Sequence, residues 1–317
     1  MTSEKKDLDQ LDQIFERYLI EGEHIRRLTK QTLINYKEVY KTFRKIMPNI
    51  NTVSDIQPET LSEFFTRLGT RVRKVGNQTK IGVKPSTTST YYNKLMTFFR
   101  WLEDNGYVVR EYLTKSIRRP KTPVYDDQRA LTEHDVNKIL SAIHINTIDH
   151  PFLNRRDLAI VYTLLYTGVR RGELMGIRVH DIDFDRKRIF INKDTSKSKE
   201  SRYIPIHATL LFSLKDYIRE LKHRNLSTVY LFVSSRSDNQ LSREGLKHWV
   251  NRYKELSGVR FHLHRFRHTF ACNLALKGAN LASMMRLLGH TTPRMTERYL
   301  RSITTEDSRS YVDKLDF

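Results

Sequence analysis

The chain has 317 residues, enough for about two ordinary domains, and its 38% hydrophobic content excludes a disordered polypeptide. Lys and Arg number 56 against 36 Asp and Glu, a formal charge of +20, which points to a polyanionic partner and first of all to nucleic acid. Cys272 is the single cysteine, so an internal disulfide and a Cys-based zinc site are excluded, a reducing cytoplasm is expected, and neither a signal-peptide core nor a membrane span is read.

Residues 8–120 read as helical. From Thr32 to Ile46, Leu33, Tyr36, Tyr40 and Phe43 recur at three- and four-residue steps, one apolar stripe with Thr29 as its cap. Pro58 to Leu68 repeats the pattern with Leu61, Phe64, Phe65 and Leu68. Thr88 to Asn105 repeats it again with Tyr92, Leu95, Met96, Phe99 and Leu102, ended by Gly106. These stripes read as core. Residues 71–90, RVRKVGNQTKIGVKPSTTST, are rich in Gly, Thr and Ser and read as a loop. No acidic residue occurs between Glu63 and Glu103. Arg67, Arg71, Arg73, Lys74, Lys80, Lys84, Lys94 and Arg100 fall in that interval, and Arg71, Arg73, Lys74, Lys80 and Lys84 are the expected DNA-facing set.

The linker is RRPKTPVYDDQ, residues 118–128, with Pro120 and Pro123. A second domain, 129–317 including a C-terminal tail, opens on LTEHDVNKIL, where Thr132 and Asp135 form a capping-box pattern. The run from Arg156 to Thr167 is apolar on most sides and predicts a buried helix broken by Gly168. RRGELMGIR then predicts a short helix. KRIFIN (187–192) and SRYIPI (201–206) flank DTSKSKE and predict a β-hairpin, with helices following to the end. Both halves are basic: residues 1–120 carry 22 basic and 14 acidic side chains, and residues 121–317 carry 34 and 22. That distribution suits a duplex held by two domains better than a single basic arm.

Five pieces of the second domain carry the chemistry: YTGVRRGEL (166–174), TSKSKESRYIP (195–205), HLHRFRHTF (262–270), LLGH (287–290) and TERYL (296–300). Each alone is weak; their order and spacing together are specific. The chain resembles the tyrosine recombinases, or phage integrases, including Xer-type enzymes. Arg170 with Glu173 and Leu174 matches the family's first arginine box. His264 and Arg267 match its His-x-x-Arg box, with His268 following. Leu288-Gly289-His290 matches its Leu-Gly-His box. Tyr299 stands nine residues after His290, where the nucleophile belongs, and Lys197, eight before Pro205, matches the hairpin lysine. The resemblance spans residues 130–300 and is looser over 8–120.

The fold that the resemblance implies is mainly α with a small β-sheet (α+β): an N-terminal helical core-binding (SAM-like) domain over 8–120 and a mixed α/β catalytic domain. The implied activity is site-specific cleavage and rejoining of double-stranded DNA through a phosphotyrosine on Tyr299. A homotetramer would act on paired sites, with accessory DNA-bending proteins left open. Neither metal nor ATP is expected, and no P-loop pattern occurs in the sequence. By the same analogy Lys197 protonates the leaving 5′-oxygen, Glu173 orients Arg170, and His290 assists a phosphate oxygen or buttresses Tyr299.

The residue types suit this chemistry on their own terms. Arginine stays protonated and offers a fork that fits phosphate, so Arg170 and Arg267 can clamp charge gathering on non-bridging oxygens. His264 and Arg267, at i and i+3, share a helix face. A tyrosine hydroxyl, with a reference pKa near ~10, needs a base or a positive field to become a nucleophile. The chain departs from the family pattern at the hairpin, which lacks a common glycine and crowds Lys193, Lys197 and Lys199 together, and at Phe266, which replaces a leucine. Tyr311 lies too far from His290 to fit. Two rivals stand beside recombination: a type IB topoisomerase-like relaxing enzyme, and a non-catalytic DNA-binding protein of the same fold.

Overall fold

The computed structural model describes residues 10–76, 78–109, 111–115, 118–121, 130–195, 200–226, 228–235, 238–300 and 313. The chain divides into two compact units, 1–125 and 126–317.

The first unit packs α1 (Gln10–His24), α2 (Lys30–Ile46), α3 (Pro58–Thr70) and α4 (Pro85–Asp104) around one core. Leu33, Tyr36, Tyr40 and Phe43 of α2 are all buried, as their spacing demands, and Thr29 caps that helix by accepting from the Thr32 amide. The core is aromatic: Phe15 stacks on Tyr40 at 3.7 Å, and Phe98 meets Phe15 edge-on at 5.1 Å.

Residues 71–90 depart from the expected loop. β1 (Val72–Val75) and β2 (Gln78–Ile81) pair antiparallel around Gly76, whose φ of +59° is the left-handed conformation a tight turn needs. Helix α4 also begins earlier than expected, with Pro85 in its first turn, where the missing N–H costs nothing.

In the second unit α5 (Glu133–Asn146) starts on the expected capping box: Thr132 accepts from the Asp135 amide, and Asp135 accepts from the Thr132 amide. Then come α6 (Pro151–Thr167), α7 (Arg171–Gly176), a three-stranded antiparallel sheet of β3 (Ile182–Asp183), β4 (Arg188–Ile191) and β5 (Arg202–Pro205), and α8 (Ala208–His223). Strand β3 was not foreseen. Residues 228–235 and 238–242 form isolated bridges and bends instead of continuing the helical series. The chain then runs through α9 (Arg243–Ser257), α10 (Leu263–Leu276), α11 (Leu281–Leu288) and α12 (Arg294–Leu300). Buried faces of α5, α6, α8, α9 and the sheet make the main core, and a smaller cluster joins α10, α11 and Tyr299 of α12.

Among the described residues no helix is long and apolar enough to cross a membrane.

Candidate active site

Two helix ends build the site. Helix α6 stops at Gly168, φ +60°, where a side chain would collide with Phe270; helix α11 stops at Gly289, φ +63°. Helix C-termini leave carbonyls without intrahelical partners and carry partial negative charge, so they attract cations. Arg267, on α10, spans both ends. Its Nη1 donates to the Gly168 carbonyl at 2.8 Å and its Nη2 to the Leu288 carbonyl at 2.6 Å. Arg170, at the start of α7, donates to the Leu288 and Gly289 carbonyls at 3.4 and 3.3 Å. The Leu288 carbonyl thus receives both arginines, although they lie 97 residues apart in sequence.

The two cations repel each other. Burial first, and then the charge of Arg170, pull Arg267 down to about 10, which leaves it protonated at neutral pH. The counter-charge is Glu173, fully buried on α7. It accepts from the Arg170 amide and side chain at 2.9 and 3.1 Å, closing a capping box with the helix it begins. Burial alone would raise its pKa. The hydrogen bonds and charge of Arg202, followed by those of Arg170, outweigh that and hold the carboxyl at about 2.

Arg267 Nη2 also meets His290 Nε2 at 2.8 Å. A guanidinium only donates, so Nε2 accepts; the ring is therefore neutral with its proton on Nδ1, which donates to Thr296 Oγ1 at 2.8 Å. Thr296 is fully buried on α12, and one turn further along that helix stands Tyr299, also fully buried. The Tyr299 ring lies 6.2 Å from His290 and nearly parallel to it, and 5.3 Å from His268. His268 itself faces Cys272 Sγ at 3.5 Å.

His264, exposed on the first turn of α10, lines an open cleft of about 420 Å³ together with Arg170 and Arg267. Arg243 and Lys247 of α9 line the same cleft. His262 also borders it; burial, then the charges of Arg265 and Lys254, push its pKa down toward the neutral ring. So the structure gathers Arg170, Glu173, His264, Arg267, His268, His290 and Tyr299 into one region. Lys197, Lys199 and Tyr311 lie outside the described residues, whereas Lys193 is exposed at the hairpin's near end.

The five basic residues expected on the first unit are not gathered on one face. Arg73 and Lys80 oppose each other across the hairpin, while Lys74 projects from the other side beside exposed Val72 and Ile81. Arg73 also donates to the Gly82 carbonyl at 2.7 Å. Arg71 is half-buried before β1, and Lys84 is exposed at the start of α4.

Sequence reasoning missed Arg202 and Thr296. Arg202 had a signal: it alternates with Ile204 on β5 and pairs with Ile191, so it points to the buried side of the sheet. A charge on the inward face of a strand needs a partner, and Glu173 is that partner.

A family model described as the phage integrase family matches residues 129–306. The chain belongs to that family. It is 32% identical over 222 residues to the tyrosine recombinase XerC of Oceanobacillus iheyensis, covering 67% of this chain and 69% of that protein. A tyrosine recombinase of Thermosipho africanus is 26% identical over 315 residues, covering 97% of this chain and all of that protein. Among solved structures, the Tn1549 transposon integrase in complex with a circular intermediate DNA superposes with a TM-score of 0.73 at 16% identity, covering 96% of this chain and 99% of that one. A lambda integrase tetramer bound to a Holliday junction gives 0.69 at 22%, covering 98% and 81%. These structures share the mainly helical α+β fold. The protein is a tyrosine recombinase, an enzyme of site-specific DNA strand transfer.

Proposed function

We propose that Tyr299 attacks a scissile DNA phosphate and forms a 3′-phosphotyrosine. The bond from phosphorus to the tyrosine oxygen forms as the bond to the 5′-oxygen breaks. The tyrosine proton leaves to a base, for which exposed His264 is placed in the cleft, and Lys197 delivers a proton to the departing 5′-oxygen. Rejoining is the same step in reverse, so the phosphodiester energy is retained and ATP is not consumed. Arg170 and Arg267 take the developing oxyanion charge, the role Mg²⁺ plays in other phosphoryl-transfer sites.

The observation that carries this reading is the shared Leu288 carbonyl. It fixes two guanidiniums side by side at the floor of an open cleft. Glu173 offsets part of their mutual repulsion, and a phosphate bound in the cleft would offset more. Tyr299 is fully covered, so α12 must shift to present its hydroxyl.

Both basic units, 8–120 and 129–317, grip the duplex, and Arg71, Arg73, Lys74, Lys80 and Lys84 contribute phosphate contacts from the first. Four copies act on two sites, a reading supported by the lambda integrase tetramer bound to a Holliday junction. Accessory DNA-bending proteins are compatible with this scheme, and a single buried cysteine suits work in the cytoplasm.

The test is a DNA site with a nick beside the cleavage point, incubated with protein in excess EDTA without ATP. A covalent adduct on the 3′ side with a free 5′-hydroxyl is expected. An absolute requirement for a divalent ion in cleavage, or an adduct on the 5′ side, contradicts the mechanism.

A further inference from the structure

Arg202 falls within the hairpin segment 195–205 but was assigned no role there, yet its guanidinium makes three hydrogen bonds near the site, as many as Arg267 and Arg170. Its side chain is 7% exposed. Nη1 and Nη2 donate to the two oxygens of Glu173 at 3.1 and 2.9 Å, a fork-to-fork pair, and Nε donates to the Leu287 carbonyl at 2.9 Å. One guanidinium therefore joins strand β5 to the carboxylate that holds Arg170 and to the end of α11. The neighbouring Leu288 carbonyl is the one both Arg170 and Arg267 use. The close approach also explains Gly289: a Cβ there would lie 2.8 Å from Arg202 Nη1.

We infer that Arg202 is a positioning residue for strand cleavage, setting the place of the Arg170 guanidinium through Glu173 and the α11 terminus without touching DNA. The inference rests on the phosphotyrosine mechanism proposed above. Lysine cannot replace it, because an ammonium has no planar fork with which to satisfy Glu173 and Leu287 together. Removing such a supporting partner typically slows a site by about 10- to 100-fold.

The test is a double-mutant cycle on the full chain, using DNA with sulfur at the 5′-bridging position. Sulfur leaves without a proton, so Lys197 does not enter the result, and the adduct accumulates. Single-turnover rates at saturating DNA are measured for the parent, Arg202→Lys, Arg170→Ala and the pair, with DNA affinity and melting temperature alongside. Arg202→Lys is expected to slow adduct formation about 10- to 100-fold in the parent while affinity stays within about threefold, and to have little effect when Arg170 is already alanine. Arg202→Met serves in its place if the lysine variant melts early. An equal fold loss in both backgrounds, or no loss in the parent, overturns the inference. If the parent itself forms no adduct, the mechanism has failed and not the role of Arg202.

Discussion

Replacing Glu173 with glutamine removes one negative charge from among three guanidiniums while keeping the side chain's shape. Glu173 titrates near 2 instead of the usual 4.5. At 1.36 kcal/mol per pH unit that difference is worth about 3 kcal/mol of folding stability. The figure agrees with the roughly 3–5 kcal/mol lost when a buried ion pair is broken from one side, because Arg202 would be left without its charge partner. A carboxyl held below its ordinary pKa contributes fully above about pH 4.5, and the contribution is lost as pH falls toward 2. Glutamine does not titrate. The stability gap between parent and Glu173→Gln should therefore be largest at pH 6–7, narrow below about 4.5 and close near 2. Guanidinium unfolding of the full chain at a series of pH values measures it. Trp249, one of two tryptophans and buried in the second unit, reports that unit when Trp101 is replaced by phenylalanine. No gap at pH 7, or a gap that persists unchanged at pH 3, refutes the electrostatic account of this carboxylate.

Thr132→Ala removes the α5 cap and should cost about 1 kcal/mol in the same unfolding assay, with little effect on adduct formation. Gly289→Ala forces a Cβ into left-handed backbone and against Arg202, so cleavage should slow markedly; strain alone is worth about 1–2 kcal/mol. Thr296→Val leaves His290 Nδ1–H without its buried acceptor and should cost about 1–3 kcal/mol, lowering the melting temperature and the single-turnover rate together. DNA affinity should fall linearly on a log–log plot against salt, with a slope of about −0.9 per phosphate contacted, and Lys80→Ala should flatten it.

Much of this architecture is legible in the sequence because helical spacing reports burial directly. The α2 stripe, the Thr132 capping box and the break at Gly168 all follow from local rules. The β1–β2 hairpin was also encoded, in the Gly76-Asn77 pair between two β-prone runs, but the surrounding Thr, Ser and Lys outweighed it as a loop signal. The basic run illustrates a different limit. One charge sign over a stretch of chain says nothing about faces, and strand alternation sends Lys74 away from Arg73 and Lys80. Motif spacing singled out Arg170, His264, Arg267, His290 and Tyr299, and the structure brings these side chains into one region. The spacing did not show that helix-end carbonyls hold the two arginines, since Gly168 and Leu288 meet only in three dimensions. Arg202 left only its strand-alternation signal, because its partner Glu173 lies 29 residues away, and no motif spacing pairs Thr296 with His290 six residues before it.

Mapping the DNA-linked peptide tests most directly whether Tyr299 is the nucleophile. Parent, Tyr299→Phe and Tyr311→Phe proteins are incubated with a nicked DNA site, and the adduct is digested and its peptide identified by mass. The parent and Tyr311→Phe should yield DNA linked to the peptide containing Tyr299. Tyr299→Phe should bind the same DNA with unchanged affinity and yield no adduct. An adduct on Tyr299→Phe, or a linkage at any other residue of the parent, contradicts the account.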